Sequence, residues 1–211
     1  MKALTVLAGG LVLLGLSTSA MAASINGSVW VGAAAGGFGD DATFANLATL
    51  GAPTDTFLVS ALNFDTRVTG TTFGDFLTGA VGLDAGVAAT SLSDDLFLFT
   101  GTTYLLAGNN NFIVTHDDGL EIEIGGTIVL SVPGPTAPVA TPYNVVAPAT
   151  GFYNFRVVYG ECCSFPAVLS ITVNDGPFGV VPEPATWGMM IAGFGLVGSA
   201  MRRRRETVVN A

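Results

Sequence analysis

Residues 23–180 predict an all-β fold, an antiparallel β-sandwich or barrel, and three observations carry that prediction. Between residues 24 and 180 no apolar pattern at helical spacing runs for a convincing length. Gly, Thr, Ala, Val and Phe dominate there, with turn dipeptides at short intervals. In the C-terminal half, segments that alternate apolar with polar residues are separated by glycine-bearing turns.

The elements follow in order. SINGSVWVGAAAGGFGDDATFANLATLG (24–51) is small and glycine-rich and reads as one strand plus loops. FGDFLTGAVGL (73–83) admits either a strand or a short helix. FIVTH (112–116) alternates, Asp117-Asp118-Gly119 turns the chain, and LEIEI (120–124) alternates again. Leu120, Ile122 and Ile124 then share the inner face, which sends Glu121 and Glu123 to solvent. Gly125-Gly126 leads into TIVLSV (127–132), and both turns carry hairpin signals. PGPTAPVATP (133–142) reads as a proline-rich connection outside the core. GFYNFRVVYG (151–160) and AVLSITV (167–173) supply two further strands, and no internal repeat is evident.

The two ends are of different character. Residues 1–24 hold one lysine, an apolar run from Ala3 to Leu16, and the small-residue pattern Ala20-Met21-Ala22. This is the form of a secretory signal peptide, residues 1–22, with a signal helix and cleavage after Ala22. Near the other end, Trp187–Met201 is uncharged and precedes Arg202, Arg203, Arg204 and Arg205. A helix of that length covers roughly 22 Å against a hydrocarbon core of about 30 Å, enough for a short transmembrane helix in a thin bilayer. The arginine cluster sets its topology, holding the C-terminal end on the cytoplasmic side and everything before it outside.

Of the chain's 7 basic and 16 acidic residues, only Arg67 and Arg156 but 14 acids fall within 23–180, leaving that part at −12. Phosphate backbones demand clustered Lys and Arg, so nucleic acid is excluded as a partner. Such a surface suits divalent cations or solubility outside the cell.

Val181-Pro182-Glu183-Pro184, the apolar stretch and the arginine cluster together resemble the PEP-CTERM sorting signal of Gram-negative bacteria. The resemblance covers 181–205, with Pro182, Glu183 and Pro184 as the sorting motif. It implies processing by an exosortase, transit through the inner membrane, and delivery to the cell surface or an exopolysaccharide-containing matrix. It says nothing of what the cargo does.

Three features within the exported part have chemical potential. His116 is the chain's one histidine, so a zinc site of several imidazoles is ruled out. If its strand continues, its side chain opposes that of Asp117. Cys162 and Cys163 are adjacent and are the only cysteines. In an oxidising compartment they form a vicinal disulfide in an eight-membered ring, stay as thiols, or bridge to another chain; the vicinal bond is the favoured reading. Asp117 and Asp118 stand side by side at a turn, where aspartate also serves simply by capping loop amides.

The segments TGTTYLLAGNNNFIVTHDDGLEIEIGGTIVL and ATGFYNFRVVYGECCSFPAVLSITV resemble the PA14 and adhesin-type β-barrel family over about residues 95–175. The matching pieces are Thr115–Gly119, Ile122–Gly126, Gly151–Tyr159, Glu161 and Ala167–Ile171; Gly125-Gly126 stands in place of the usual Asp-Gly, and Cys162-Cys163 in place of glycines. In the carbohydrate-binding branch, consecutive aspartates at this corner coordinate calcium, in some members through a cis peptide, and calcium holds sugar hydroxyls. Carried over, Asp117 and Asp118 become metal ligands, with Asn174 and Asp175 after the last strand as further candidates. Residues 24–90 lie outside the resemblance and either complete the barrel or extend it.

The expected function is therefore an exported, exosortase-sorted surface or matrix protein whose β-domain binds glycan or exopolysaccharide, with calcium as the candidate cofactor. The alternative is a structural matrix component with neither metal nor sugar site. No catalytic residue is expected: no carboxylate pair is marked out for glycoside hydrolysis.

Overall fold

A computed structural model describes residues 24–33, 42–163, 165–179 and 191–196. The signal peptide, the Pro182-Glu183-Pro184 motif and the arginine cluster lie outside the described residues. So does all of the apolar stretch 187–201 except the helical residues 191–196. Among the described residues no helix is long and apolar enough to cross a membrane.

Alternation builds two antiparallel sheets. The first contains β1 (Ile25–Trp30), β2 (Asp55–Val59), β4 (Asp95–Leu105), β6 (Leu120–Ile124), β7 (Thr127–Val132) and β9 (Gly151–Glu161), in the order β2-β1-β4-β9-β6-β7. The second contains β5 (Gly108–Asp117), β8 (Val139–Ala147), β10 (Val168–Val173) and β11 (Gly176–Pro177), in the order β11-β10-β5-β8. The short β3 (Asn63–Asp65) joins the other end of β10. The sheets face each other as an open sandwich, not a closed barrel: β7 and β8 end their sheets without pairing to one another.

Inward rows from both sheets make one core. Phe97, Phe99, Phe155, Val157 and Tyr159 from the long β4–β9 pair meet Phe112, Val114, Leu169 and Ile171. Phe64, Phe73 and Phe76 close the side of this core, with Phe76 stacked on Tyr159 at 5.6 Å between centroids. Residues 73–83 resolve to a short helix, α2 (Phe73–Phe76), started by a capping box between Thr72 and Asp75. A second such turn, α3 (Ala85–Ala88), begins at Asp84. Residues 24–90 thus complete the same domain: β1 and β2 extend the first sheet and β3 the second.

Three expectations are corrected. Asp117-Asp118-Gly119 does not close a hairpin, because β5 pairs with β8 and β10 while β6 pairs with β7 and β9. The turn is a corner that carries the chain from one sheet to the other. Gly125-Gly126 does close the β6–β7 hairpin, with φ of 60° and 82°. The connection 133–142 runs straight into β8, whose Pro142 sits on an edge strand, where a missing ladder donor is tolerated. Finally, Glu121 is buried, not solvent-facing. The segment carrying α1 (Phe44–Leu47) lies over the outer face of the first sheet, burying Ala42 and Leu47 against Leu96 and Val158. The Glu121 carboxylate beneath it accepts from the Phe44 amide at 2.9 Å and the Ser131 hydroxyl at 3.0 Å. Glu123, half-buried, pairs with Arg156 at 3.3 Å.

Candidate functional site

The sheet-crossing corner gathers most of the buried acids. β5 delivers Asp117, the peptide to Asp118 is cis, and Gly119 then passes close beneath Pro133. A Cβ on Gly119 would overlap the Pro133 carbonyl, so the corner admits no side chain there. Asp118 is tied into the framework. One carboxylate oxygen accepts from the Thr136 amide at 2.9 Å and the other from the Cys162 amide at 2.8 Å. Its carbonyl oxygen accepts from His116 Nδ1 at 2.7 Å. His116, whose Nε2 faces the Thr141 hydroxyl at 3.2 Å, is thereby a buried structural residue.

Asp117 is held differently. Its backbone carbonyl accepts from the Tyr159 hydroxyl, while its carboxyl lies within hydrogen-bonding reach of Asp118's. Burial, then the charge and hydrogen bond of Asp118, push the Asp117 carboxyl up to about 7. Arg67 opposes this only from a distance, because its guanidinium is committed to Asp65 at 2.5 Å. Two more buried acids stand at the same end, opposite one another on β4 and β9. Glu161, bonded to the Tyr159 hydroxyl at 2.9 Å, is raised to about 9 by burial and by its acidic neighbours. Asp95, pushed up to about 6 by burial, accepts from the amides of Gly32 and Ser93.

Cys162 and Cys163 are joined by a disulfide with Cα atoms 3.7 Å apart. Cys162 is buried, whereas Cys163 and the nearby Phe165 are exposed, so an apolar rim adjoins the acids. Asn174 and Asp175 are not part of this site. They form the β10–β11 turn, at the end of β10 remote from Val168, which is the residue that pairs with Asp117. Asn174 instead bridges to the Asn111 amide and the Asn110 side chain.

Residues 180–205 match the PEP-CTERM protein-sorting motif. A chain bearing this motif is an exported protein sorted through the membrane. The fold is PA14-like. It is similar to the PA14 domain of the antifreeze protein MpAFP, with a TM-score of 0.55 and 19% identity over 74% of this chain and 86% of that one. It is similar also to a PA14 sugar-binding domain from an RTX adhesin, with a TM-score of 0.50 and 19% identity over 75% of this chain and 94% of that one. No curated protein matches the chain.

Asp95 is the site residue that reading the sequence passed over, and Glu161, a piece of the matched segment, was given no role there. Both were within reach of the alternation: Glu161 follows Phe155, Val157 and Tyr159 on the inward row, and Asp95 precedes Phe97 and Phe99.

Proposed function

We propose that this exported protein is a non-catalytic surface or matrix component whose PA14-like domain binds glycan through calcium at Asp117 and Asp118. Exosortase processing near Pro182-Glu183-Pro184 would deliver it to the surface or matrix of a Gram-negative cell. The supporting observation is a pair of adjacent buried carboxyls, one raised by the charge of the other, with the Arg67 guanidinium spent on Asp65. Such a pair takes up either a proton or a cation. The donors are all hard oxygens, which fits calcium and not a softer metal. Asp118 would be the fixed ligand, oriented by Thr136 and Cys162, and Asp117 the one that exchanges its proton for the ion. Calcium bound there supplies open positions for paired sugar hydroxyls, and the exposed Cys163–Phe165 rim offers apolar surface to a sugar ring. The adhesin domain of the same fold is described as sugar-binding, which agrees.

A structural matrix role without a site is the second reading. It is favoured by one observation: among the described residues, no three His, Cys, Asp or Glu side chains are grouped to hold a metal. Calcium calorimetry on the full chain and on Asp117→Asn separates the two. Saturable heat lost in the variant, followed by calcium-dependent retention on immobilised exopolysaccharide, supports the site. Identical silent titrations of both chains at millimolar calcium favour the structural role.

A further inference from the structure

We propose that the end of the sandwich opposite the Asp117–Asp118 corner rests on the lipid bilayer while the C-terminal segment is inserted. This rests on the reading that residues 187–201 enter the membrane. Three observations converge on it.

The first is a set of exposed apolar side chains around one end of the sandwich, on the outer faces of both sheets. Tyr104 and Leu106 at the end of β4, Phe152 at the start of β9 and Val146 near the end of β8 are 38%, 52%, 58% and 70% exposed. Tyr104 and Phe152 face each other across the strand pair, outside the sheet, with centroids 5.2 Å apart. Among the described residues, nothing covers Tyr104 and Phe152 in the way that α1 covers the other half of their face.

The second is charge. Of the described acids, Asp55, Asp65, Asp95, Asp117 and Glu161 stand at strand ends on the corner side, with Asp94, Asp118 and Glu121 next to them in the chain or at the start of β6. Asp75 and Asp84 ride on the short helices packed there, with the Asp84 amide bonded to Asp55. Towards the opposite end only Glu123 and Asp175 remain, and Glu123 is paired with Arg156. An anionic bilayer repels the first end and leaves the second free to approach.

The third is where the chain leaves. Gly179 is packed against Ile25 and Phe155, the same two side chains that crowd Gly101. The exit is therefore level with Gly101, about four residues or roughly 13 Å along β4 from the apolar tip. Seven residues, 180–186, then separate it from Trp187, a tether reaching at most about 25 Å. A tether this short keeps the domain at the membrane surface, and the tip is the face that suits it. Tyr at headgroup level is a usual anchor of such a contact, and Phe and Leu bury just beneath it.

The test uses full-length chain in phosphatidylcholine vesicles brominated near the headgroups, read by tryptophan quenching. Trp30, at the acidic end, stays in every variant as a reporter of that end. The difference between wild type and W187F isolates Trp187; the difference between W187F/F152W and W187F isolates position 152. Quenching of both, with the emission of Trp30 unaffected, is the expected result. Quenching of Trp187 alone would overturn the tip contact and leave membrane insertion standing. No quenching of Trp187 would remove insertion itself and the docked orientation with it. A two-chain mass in micelles that drops to one chain in Y104S/F152S would assign the patch to a second copy and overturn the proposal as well.

Discussion

Asp117 and Asp118 share a corner but are not equivalent side chains. Each oxygen of Asp118 accepts from one backbone amide, those of Thr136 and Cys162, and keeps a further lone pair for an ion. Asp118→Ala leaves two amides without acceptors and should cost about 2–4 kcal/mol in urea unfolding, whether or not calcium is present. Asp117 supplies its carbonyl to Tyr159, but its carboxyl faces a like charge. Asp117→Asn keeps the carbonyl and removes the repulsion, so its unfolding midpoint in calcium-free urea should match or exceed wild type while calcium binding is lost. An equal loss of stability in both variants would refute this division of labour. Gly119 is the third residue of the corner, and its role is space. Gly119→Ala forces a methyl into the Pro133 carbonyl and should destabilise by about 3 kcal/mol or more, measured in the same way.

Among the elements, α1 is too short to hold itself and depends on what lies under it. Its Thr43 cap satisfies the Asn46 amide, and Glu121 from β6 satisfies the Phe44 amide across the sheet surface. Arg156 lies over the Phe44 ring at 4.2 Å. Glu121→Ala should therefore cost about 1–3 kcal/mol and release the Phe44 amide to rapid hydrogen exchange, while amides of β4 and β9 stay protected. This covering segment also explains what the sequence concealed. Strand alternation reports which residues share a face, and LEIEI reported that correctly: Leu120, Ile122 and Ile124 are all buried. It does not report whether the opposite face is roofed by a loop from 77 positions away in the chain, as Glu121 is. The corner was misread for a related reason. An Asp-Gly turn looks the same locally whether the strands it joins pair or part, and only the partners of β5 and β6 decide. The proline-rich start of β8 hid a strand because proline is tolerated on an edge, and edge position is a property of the finished sheet. The Asp117–Asp118 pair, by contrast, was legible, since it stands in a short motif; Glu161 stood in the matched segment without a role, and Asp95 was visible only as parity.

At the scale of the molecule, the acids at the corner set how stability responds to pH. Asp95, Asp117 and Glu161 are raised to about 6, 7 and 9, above their values of 3.8, 3.8 and 4.5 in an unfolded chain. Between those limits the folded protein holds protons that the unfolded chain gives up, so stability falls as pH rises. Their contribution is complete below about 4 and is lost progressively above it, the shares of Asp95, Asp117 and Glu161 being exhausted at about 6, 7 and 9. Asp65 and Asp75, lowered by hydrogen bonds from Arg67 and Thr72, act in the opposite sense, but at the surface and at the most acid end of the range. The melting temperature should therefore fall on going from pH 5 to pH 9, on the order of 5 °C or more. Calcium changes the profile in a particular place. An ion at the corner replaces the proton of Asp117, so saturating calcium should abolish the share of the fall that ends near 7 and leave the fall that continues to about 9, which belongs to Glu161. Thermal scans across this range, with calcium and with chelator, make the comparison. Superimposable curves would mean that no cation competes for Asp117, and the corner would then be a protonated hinge between two sheets, serving the fold alone.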